Sequence, residues 1–272
     1  MMLRIGEINY LNCTPIFSSL RSNFPLCDYE FVAGHPSQLN AKLRAGEIDL
    51  CPSSSIEYAR NPELYRIMPE LSISSKGPVR SVLLFSKLPI DSLDDASIGL
   101  TSESETSVIL LKILLARKYS FANRYVRVEV FDQTLSPEHD ALLLIGDKAL
   151  IGASRERSGY IYDLGELWYE FTGRPFVFAL WLLREDAFND FSGAVQLLQE
   201  RLVLSKHIAL KNFASIAATL KQTIWTNSEF LINYWSVISY DLTQEHIDGL
   251  KLFYQYAAEC GFIESEPQLR IL

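Results

Sequence analysis

Short apolar runs recur along the first two-thirds of the chain, each followed by a stretch with helical period. Leu3 to Ile8 alternates like a strand, and Thr14 to Arg21 follows as a helix. Asp28 to Val32 is a second strand. From Pro36 and Ser37, Leu39 and Leu43 share one helix face at i,i+4, and Gly46 ends that helix because glycine adopts a left-handed conformation most easily. Ile48, Leu50 and Cys51 then form a short apolar strand running into Pro52 and the serines Ser53, Ser54 and Ser55. Strands at Ile67–Ile73 and Val82–Phe85 close this first set.

A second set begins at Ser97, where Ile98 to Leu100 is a strand leading to a hydroxyl-rich turn. Val108, Leu111, Ile113, Leu114 and Leu115 mark a helix apolar on most of its surface. Strands follow at 126–131, 141–145 and 160–164, the last leading to a Trp- and Tyr-rich turn. Phe176 to Leu183 is a continuous apolar strand. Beyond Phe188 the pattern is helical, with predicted helices near 190–204, 207–222, 228–238 and 243–260.

Strands alternating with helices predict an α/β fold with mostly parallel sheets. Two such sets predict two lobes. The strongest apolar strands, 82–85 and 176–183, bracket the second set, so the chain is expected to cross once and return. Lobe one then holds 1–85 and 180–272, lobe two holds 86–179, and a ligand cleft lies between them. The competing layout is two sequential domains with the helical tail as a separate module.

Composition narrows the functional classes. The 272 residues are 48% hydrophobic and 12% aromatic, which supplies real cores and argues against disorder. A net charge of −8, without any run of basic residues, argues against nucleic acid as a partner. Cys13, Cys27, Cys51 and Cys260 contain no C-x-x-C, and the four histidines show no metal-ligand spacing, so no metal is expected. No twenty-residue apolar stretch predicts a membrane span. The N-terminus lacks the marks of a secretory signal, so a cytoplasmic protein is expected.

Several polar groups are placed to face a cleft at strand ends. Asn9 and Asn12 flank Tyr10 just after the first strand, where an amide donates without carrying charge. Ser53, Ser54 and Ser55 follow another strand. Arg80 and Ser81 precede the crossing strand and Ser86 follows it. Thr106 and Ser107, with Ser102 and Ser104, resemble a helix start that presents N–H groups to a carboxylate. Helix capping alone needs one of these hydroxyls. Gly146 and Asp147 end a strand, where they position an anion or form a turn. G-x-S-x-G, P-loop and G-x-G-x-x-G motifs are all missing. An inventory of neutral donors suits a ligand that brings its own negative charge.

The same residues carry a family resemblance. R-I-G-x-I-N-Y-L-N-C-x-P (Arg4–Pro15) and G-x-P-S-x-L-N (Gly34–Asn40) with G-E-I-D-L-C-P-S-S-S-I-E-Y-A behind it resemble the chorismate dehydratases of the futalosine route to menaquinone. So do S-V-L-L-F-S-K (Ser81–Lys87), T-S-x-S-x-T-S-V (Thr101–Val108), L-L-I-G-D-K-A-L (Leu143–Leu150) and D-L-G-E-L-W…T-G-R-P-F-V-F-A-L-W (Asp163–Trp181). Singly each motif is weak; together, in order, they are specific. The resemblance implies a two-lobed fold like the type II periplasmic binding proteins, with a helical C-terminal part. It also implies a cofactor-free hydro-lyase that removes water from chorismate to give 3-[(1-carboxyvinyl)oxy]benzoate. Under it, Asn12 hydrogen bonds the departing hydroxyl, while the Thr106/Ser107 helix start and Ser53–Ser55 hold the two carboxylates. The enolpyruvyl carboxylate of the substrate is the expected base, with Glu7, Glu57 and His35 as protein alternatives. A non-catalytic small-anion binding protein and the sister 1,4-dihydroxy-6-naphthoate synthase are the rival readings. Oligomeric state stays open.

Overall fold

The computed structural model describes residues 2–128, 138–155, 159–221 and 226–272, and its strands form two separate five-stranded sheets. In the first, β1 (Leu3–Ile8) lies between β2 (Tyr29–Gly34) and β3 (Leu50–Ser54), followed by β10 (Phe176–Arg184) and the edge strand β4 (Tyr65–Ser75). In the second the order is β7 (Arg124–Val128), β6 (Ser97–Thr101), β8 (Ala141–Ile145), β5 (Val82–Ser86) and β9 (Tyr160–Asp163). The predicted strand 126–131 thus begins slightly earlier, and its last positions lie outside the described residues.

The two sheets are mixed rather than mostly parallel. β1 runs parallel to β2 and β3, but β10 is antiparallel to both β3 and β4, and β5 is antiparallel to both β8 and β9. The reason is the double crossing. A strand arriving from the other lobe enters its sheet from the opposite end, so it runs against its neighbours. The boundaries expected at 85/86 and 179/180 both fall inside strands. Val82–Ser86 pairs wholly within the second sheet and Phe176–Arg184 wholly within the first, so the crossings occupy 76–81 and 173–175.

Asp163 organises the first crossing. Its carboxylate accepts the backbone N–H of Val79 at 3.0 Å and of Arg80 at 2.6 Å, and also caps α6 (Leu164–Thr172) through Gly165 N at 2.9 Å. Arg80 is held at φ 64°, a left-handed conformation that a non-glycine residue keeps only under such restraint. The Trp- and Tyr-rich segment expected to be a turn is therefore a helix, started by this cap and ended by Gly173 at φ 66°.

The connecting helices of the first lobe are α1 (Thr14–Asn23), α2 (Pro36–Ala45) and α3 (Ser55–Arg60); those of the second include α4 (Glu105–Ile113) and α5 (Gly146–Ser154). The C-terminal third adds α7 (Glu185–Asp190), α8 (Ser192–Lys211), α9 (Phe213–Thr219), α10 (Ser228–Trp235) and α11 (Gln244–Glu259). The break predicted near 205 is absent, because Ser205 and Lys206 are buried rather than exposed. Lys206 Nζ reaches Asp241 Oδ1 at 2.6 Å and the Glu70 carbonyl at 2.7 Å, which ties α8 to the rim of the first sheet. One continuous apolar core runs through both sheets. A small second cluster of Leu83, Phe85, Leu142, Leu144 and Ala149 covers the other face of β5 and β8.

Candidate active site

The cavity between the sheets is assembled from strand ends and helix starts. Ile8 and the turn Tyr10–Cys13 come from the end of β1, Ser54 from the end of β3, and Ile73, Phe178 and Ala179 from β4 and β10. Across from them stand Val79, Ser81 and Val82 of the first crossing, Ser104 and Ser107 at the start of α4, and Ile145 and Gly146 where β8 becomes α5. The space measures about 560 Å³, counting the part open to solvent. Among the described residues every lining side chain is uncharged, and the polar ones are hydroxyls, one amide and one thiol.

Local chemistry explains much of this placement. Ser104 caps α4 by accepting Ser107 N at 3.3 Å and donates to Ser107 Oγ at 3.0 Å, so the hydroxyl pair presents itself to the cavity as a unit. Gly146 donates its N–H to the Ser81 carbonyl at 2.8 Å and takes φ 56°. A Cβ there would lie 2.8 Å from the Tyr10 ring, so glycine is needed both for conformation and for close approach. Asn12 has its carbonyl fixed by the Tyr240 hydroxyl at 2.9 Å, while its side-chain Oδ1 is buried without a hydrogen-bond partner among the described residues. An unpaired buried acceptor beside a cavity is costly unless a ligand satisfies it.

Of the residues singled out in the sequence, Asn12, Ser54, Ser81, Ser104, Ser107 and Gly146 meet at this cavity. The others do not line it. Ser53 and Ser54 are not loop residues but the last positions of β3, paired with Leu180 and Ala179; strand alternation turns Ser53 away and leaves Ser54 at the cavity. Ser54 Oγ also accepts from Asn40 Nδ2 at 3.1 Å. Ser55 and Thr106 face each other at 3.4 Å, and Thr106 Oγ1 accepts Ile56 N at 3.1 Å, so both tie α3 to α4 instead of binding a ligand. The Arg80 side chain is exposed. Ser86 sits at the other end of β5, where it donates to the Leu88 carbonyl at 2.7 Å and accepts Leu88 N at 3.1 Å as an ordinary turn. Asp147 lies beside the cavity, lining an adjoining recess with Glu7, Asn9 and Arg21, and accepts Leu11 N at 3.1 Å.

The candidate protein bases are equally committed elsewhere. Glu57 is buried and held by Arg44 at 2.9 and 2.6 Å, by Tyr65 at 2.9 Å and by Asn61 at 3.1 Å. Glu7 is bridged by both terminal nitrogens of Arg21. His35 caps α2 in a reciprocal pair with Gln38. Burial pushes the Cys13 thiol well above its ordinary range, which makes it a lining group and not a nucleophile. Burial also lifts Asp147 to about 6, and desolvation with the nearby Glu103 lifts the Tyr10 phenol. Tyr10 and the capping role of Ser104 are the parts the sequence undervalued, since an isolated tyrosine reads as core and one hydroxyl among several reads as redundant.

A profile of the menaquinone biosynthesis family matches residues 3–259. The chain belongs to that family. This menaquinone biosynthesis family member is 31% identical over 264 residues to the chorismate dehydratase of Thermus thermophilus, covering 92% of this chain and 93% of that protein. Among solved structures, a protein from Archaeoglobus fulgidus superimposes with a TM-score of 0.75 at 20% identity, covering 96% of this chain and 98% of that one. The periplasmic aliphatic sulphonate binding protein SsuA of Escherichia coli gives a TM-score of 0.63 at 15% identity, over 99% and 90% of the two chains. The family member thus has the two-lobed periplasmic-binding-protein fold that its motifs imply. Among its described residues no helix is long and apolar enough to cross a membrane, and no group of three or more His, Cys, Asp or Glu is placed to hold a metal ion.

Proposed function

We propose that the chain is a chorismate dehydratase, a hydro-lyase that converts chorismate to 3-[(1-carboxyvinyl)oxy]benzoate in menaquinone biosynthesis. The observation that carries this reading is the end-to-end match to the Thermus enzyme. The cavity agrees with it chemically. Chorismate supplies two carboxylates, and the lining supplies neutral donors at Ser54, Ser81, Ser104 and Ser107. Fixed hydroxyls without a competing lysine or carboxylate among them suit an anion whose charge must spread during reaction.

The elimination removes the ring C3 proton and the C4 hydroxyl, and it makes the ring aromatic, so the driving force resides in the substrate. Charge left at C3 spreads through the diene to the ring carboxylate, where hydroxyl donors stabilise it. With no carboxylate or imidazole among the described lining residues, the enolpyruvyl carboxylate takes the C3 proton. That proton then leaves with the C4 oxygen, so one molecule of water departs and no redox change occurs. In this reading Asn12 serves the departing group, its Oδ1, without a partner among the described residues, accepting the C4 hydroxyl hydrogen and its amide donating as the C–O bond breaks.

The test is conversion of chorismate to an aromatic product by the purified protein, followed by ultraviolet absorbance and mass. Asn12→Ala and Ser81→Ala are each expected to lower kcat by about a hundredfold, the scale of losing one preorganised donor. Full turnover in both variants overturns the site assignment, and an inert wild-type protein overturns the reaction.

A further inference from the structure

The turn that carries Asn12 is gripped from both lobes. From the first lobe's side, Trp235 Nε1 donates to the Leu11 carbonyl at 2.8 Å and Tyr240 to the Asn12 carbonyl at 2.9 Å. From the second lobe, three contacts reach across the cavity mouth. The Tyr10 hydroxyl donates to Glu103 Oε2 at 3.0 Å, Leu11 N donates to Asp147 Oδ1 at 3.1 Å, and the Tyr10 ring packs onto Gly146. Glu103 is itself steadied by Lys148 Nζ at 2.8 Å on its other oxygen. Glu103 immediately precedes Ser104, and Gly146, Asp147 and Lys148 form the first turn of α5, so these anchors belong to the same two helix starts that line the cavity. The Asn12 side-chain oxygen, by contrast, has no protein partner among the described residues.

We propose that Tyr10 is a positioning residue for the dehydration, a cross-lobe tie that sets Asn12 against a substrate held at Ser104 and Ser107. The inference rests on the reading of the cavity as the chorismate site. Among the described residues the Asn12 side-chain oxygen accepts no hydrogen bond from the second lobe that would do this. Tyr10 and Leu11 carry it, and separating the sheets breaks their three contacts together. Glu103 acts through Tyr10, and Gly146 acts by giving the ring room to seat.

A double-mutant cycle tests the tie. Tyr10→Phe keeps the ring on Gly146 and removes the bond to Glu103; kcat for chorismate is expected to fall about tenfold, the scale of one hydrogen bond to a charged group, with KM within about threefold. Glu103→Ala should match it. Glu103→Gln keeps an acceptor and should recover most of kcat. The Tyr10→Phe/Glu103→Ala double variant should lose no more than either single, because both remove the same contact. A merely structural role predicts lower thermal stability with kcat of the folded protein unchanged, whereas multiplying losses mean that the two residues do not act through one contact. Full kcat in Tyr10→Phe, or multiplying losses, overturns the proposal. If the wild-type protein does not dehydrate chorismate, the functional reading falls and the tie is read by amide hydrogen exchange over residues 8–14. Exchange there should then quicken equally in both single variants and the double, and unchanged exchange overturns the tie independently.

Discussion

Replacing Asp147 by Asn removes a partly buried negative charge while keeping an oxygen to accept Leu11 N. Burial holds this carboxyl near 6 against an ordinary 3.8. An acid raised in the folded state binds its proton more tightly there than in the unfolded chain. Between 3.8 and 6 the folded protein therefore carries the extra proton, and stability falls as pH rises through that window. The difference corresponds to about 3 kcal/mol at most. The carboxylate keeps an edge in solvent, and screening trims the observable effect to about 1–2 kcal/mol. Asp147→Asn should thus match the wild-type protein near pH 4 and exceed it progressively to a plateau above pH 7. Urea melts of both proteins at half-unit pH steps measure this, since all other titrations cancel in the difference. A difference that is flat with pH, or that shrinks as pH rises, refutes the argument that burial rather than the Leu11 hydrogen bond dominates this site.

Thr106→Val should cost about 1–3 kcal/mol in urea melts by leaving Ile56 N buried and unpaired, with kcat within about twofold; a large loss of turnover at unchanged stability would return Thr106 to the ligand site. Glu57→Ala should destabilise by about 3–5 kcal/mol, because Arg44, Tyr65 and Asn61 all lose the same carboxylate. Survival of that variant with normal stability but no activity would mark Glu57 as the base after all. Chorismate at about a hundred times its Kd should stabilise the protein by about 2.7 kcal/mol and raise Tm by about 5 °C or more in a thermal melt. Asp163→Ala should lower stability while raising exchange of the Val79 and Arg80 amides, since it removes their shared acceptor.

Strands with continuous apolar runs were legible because burial on both faces leaves few polar positions, as Val82–Phe85 and Ala141–Ile145 show. Their sheet partners were not. Val82–Phe85 looks the same in sequence whichever lobe claims it, and only its pairing with β8 and β9 decides. The serine run illustrates the same limit within the site. Its composition pointed to a ligand, but the strand continues through Ser54, and the two-residue alternation then separates Ser54 from Ser53. Among the helices, α6 was missed because its start depends on Asp163, a residue that also accepts from Val79, 84 positions away, and from Arg80, 83 positions away.

The sequence by itself determined most of the strands, the two-set organisation and the family, because periodicity and ordered motifs are local properties of the chain. It also determined that the donors near strand ends would be neutral. Only the tertiary structure decided which of those donors converge. Ser55 and Thr106 were spent joining two helices, Ser86 was carried to the wrong end of its strand, and Tyr10 was brought onto Gly146 from the other lobe. Convergence depends on how two sheets face each other across a double crossing, and that geometry is set by long-range pairing which no local pattern encodes.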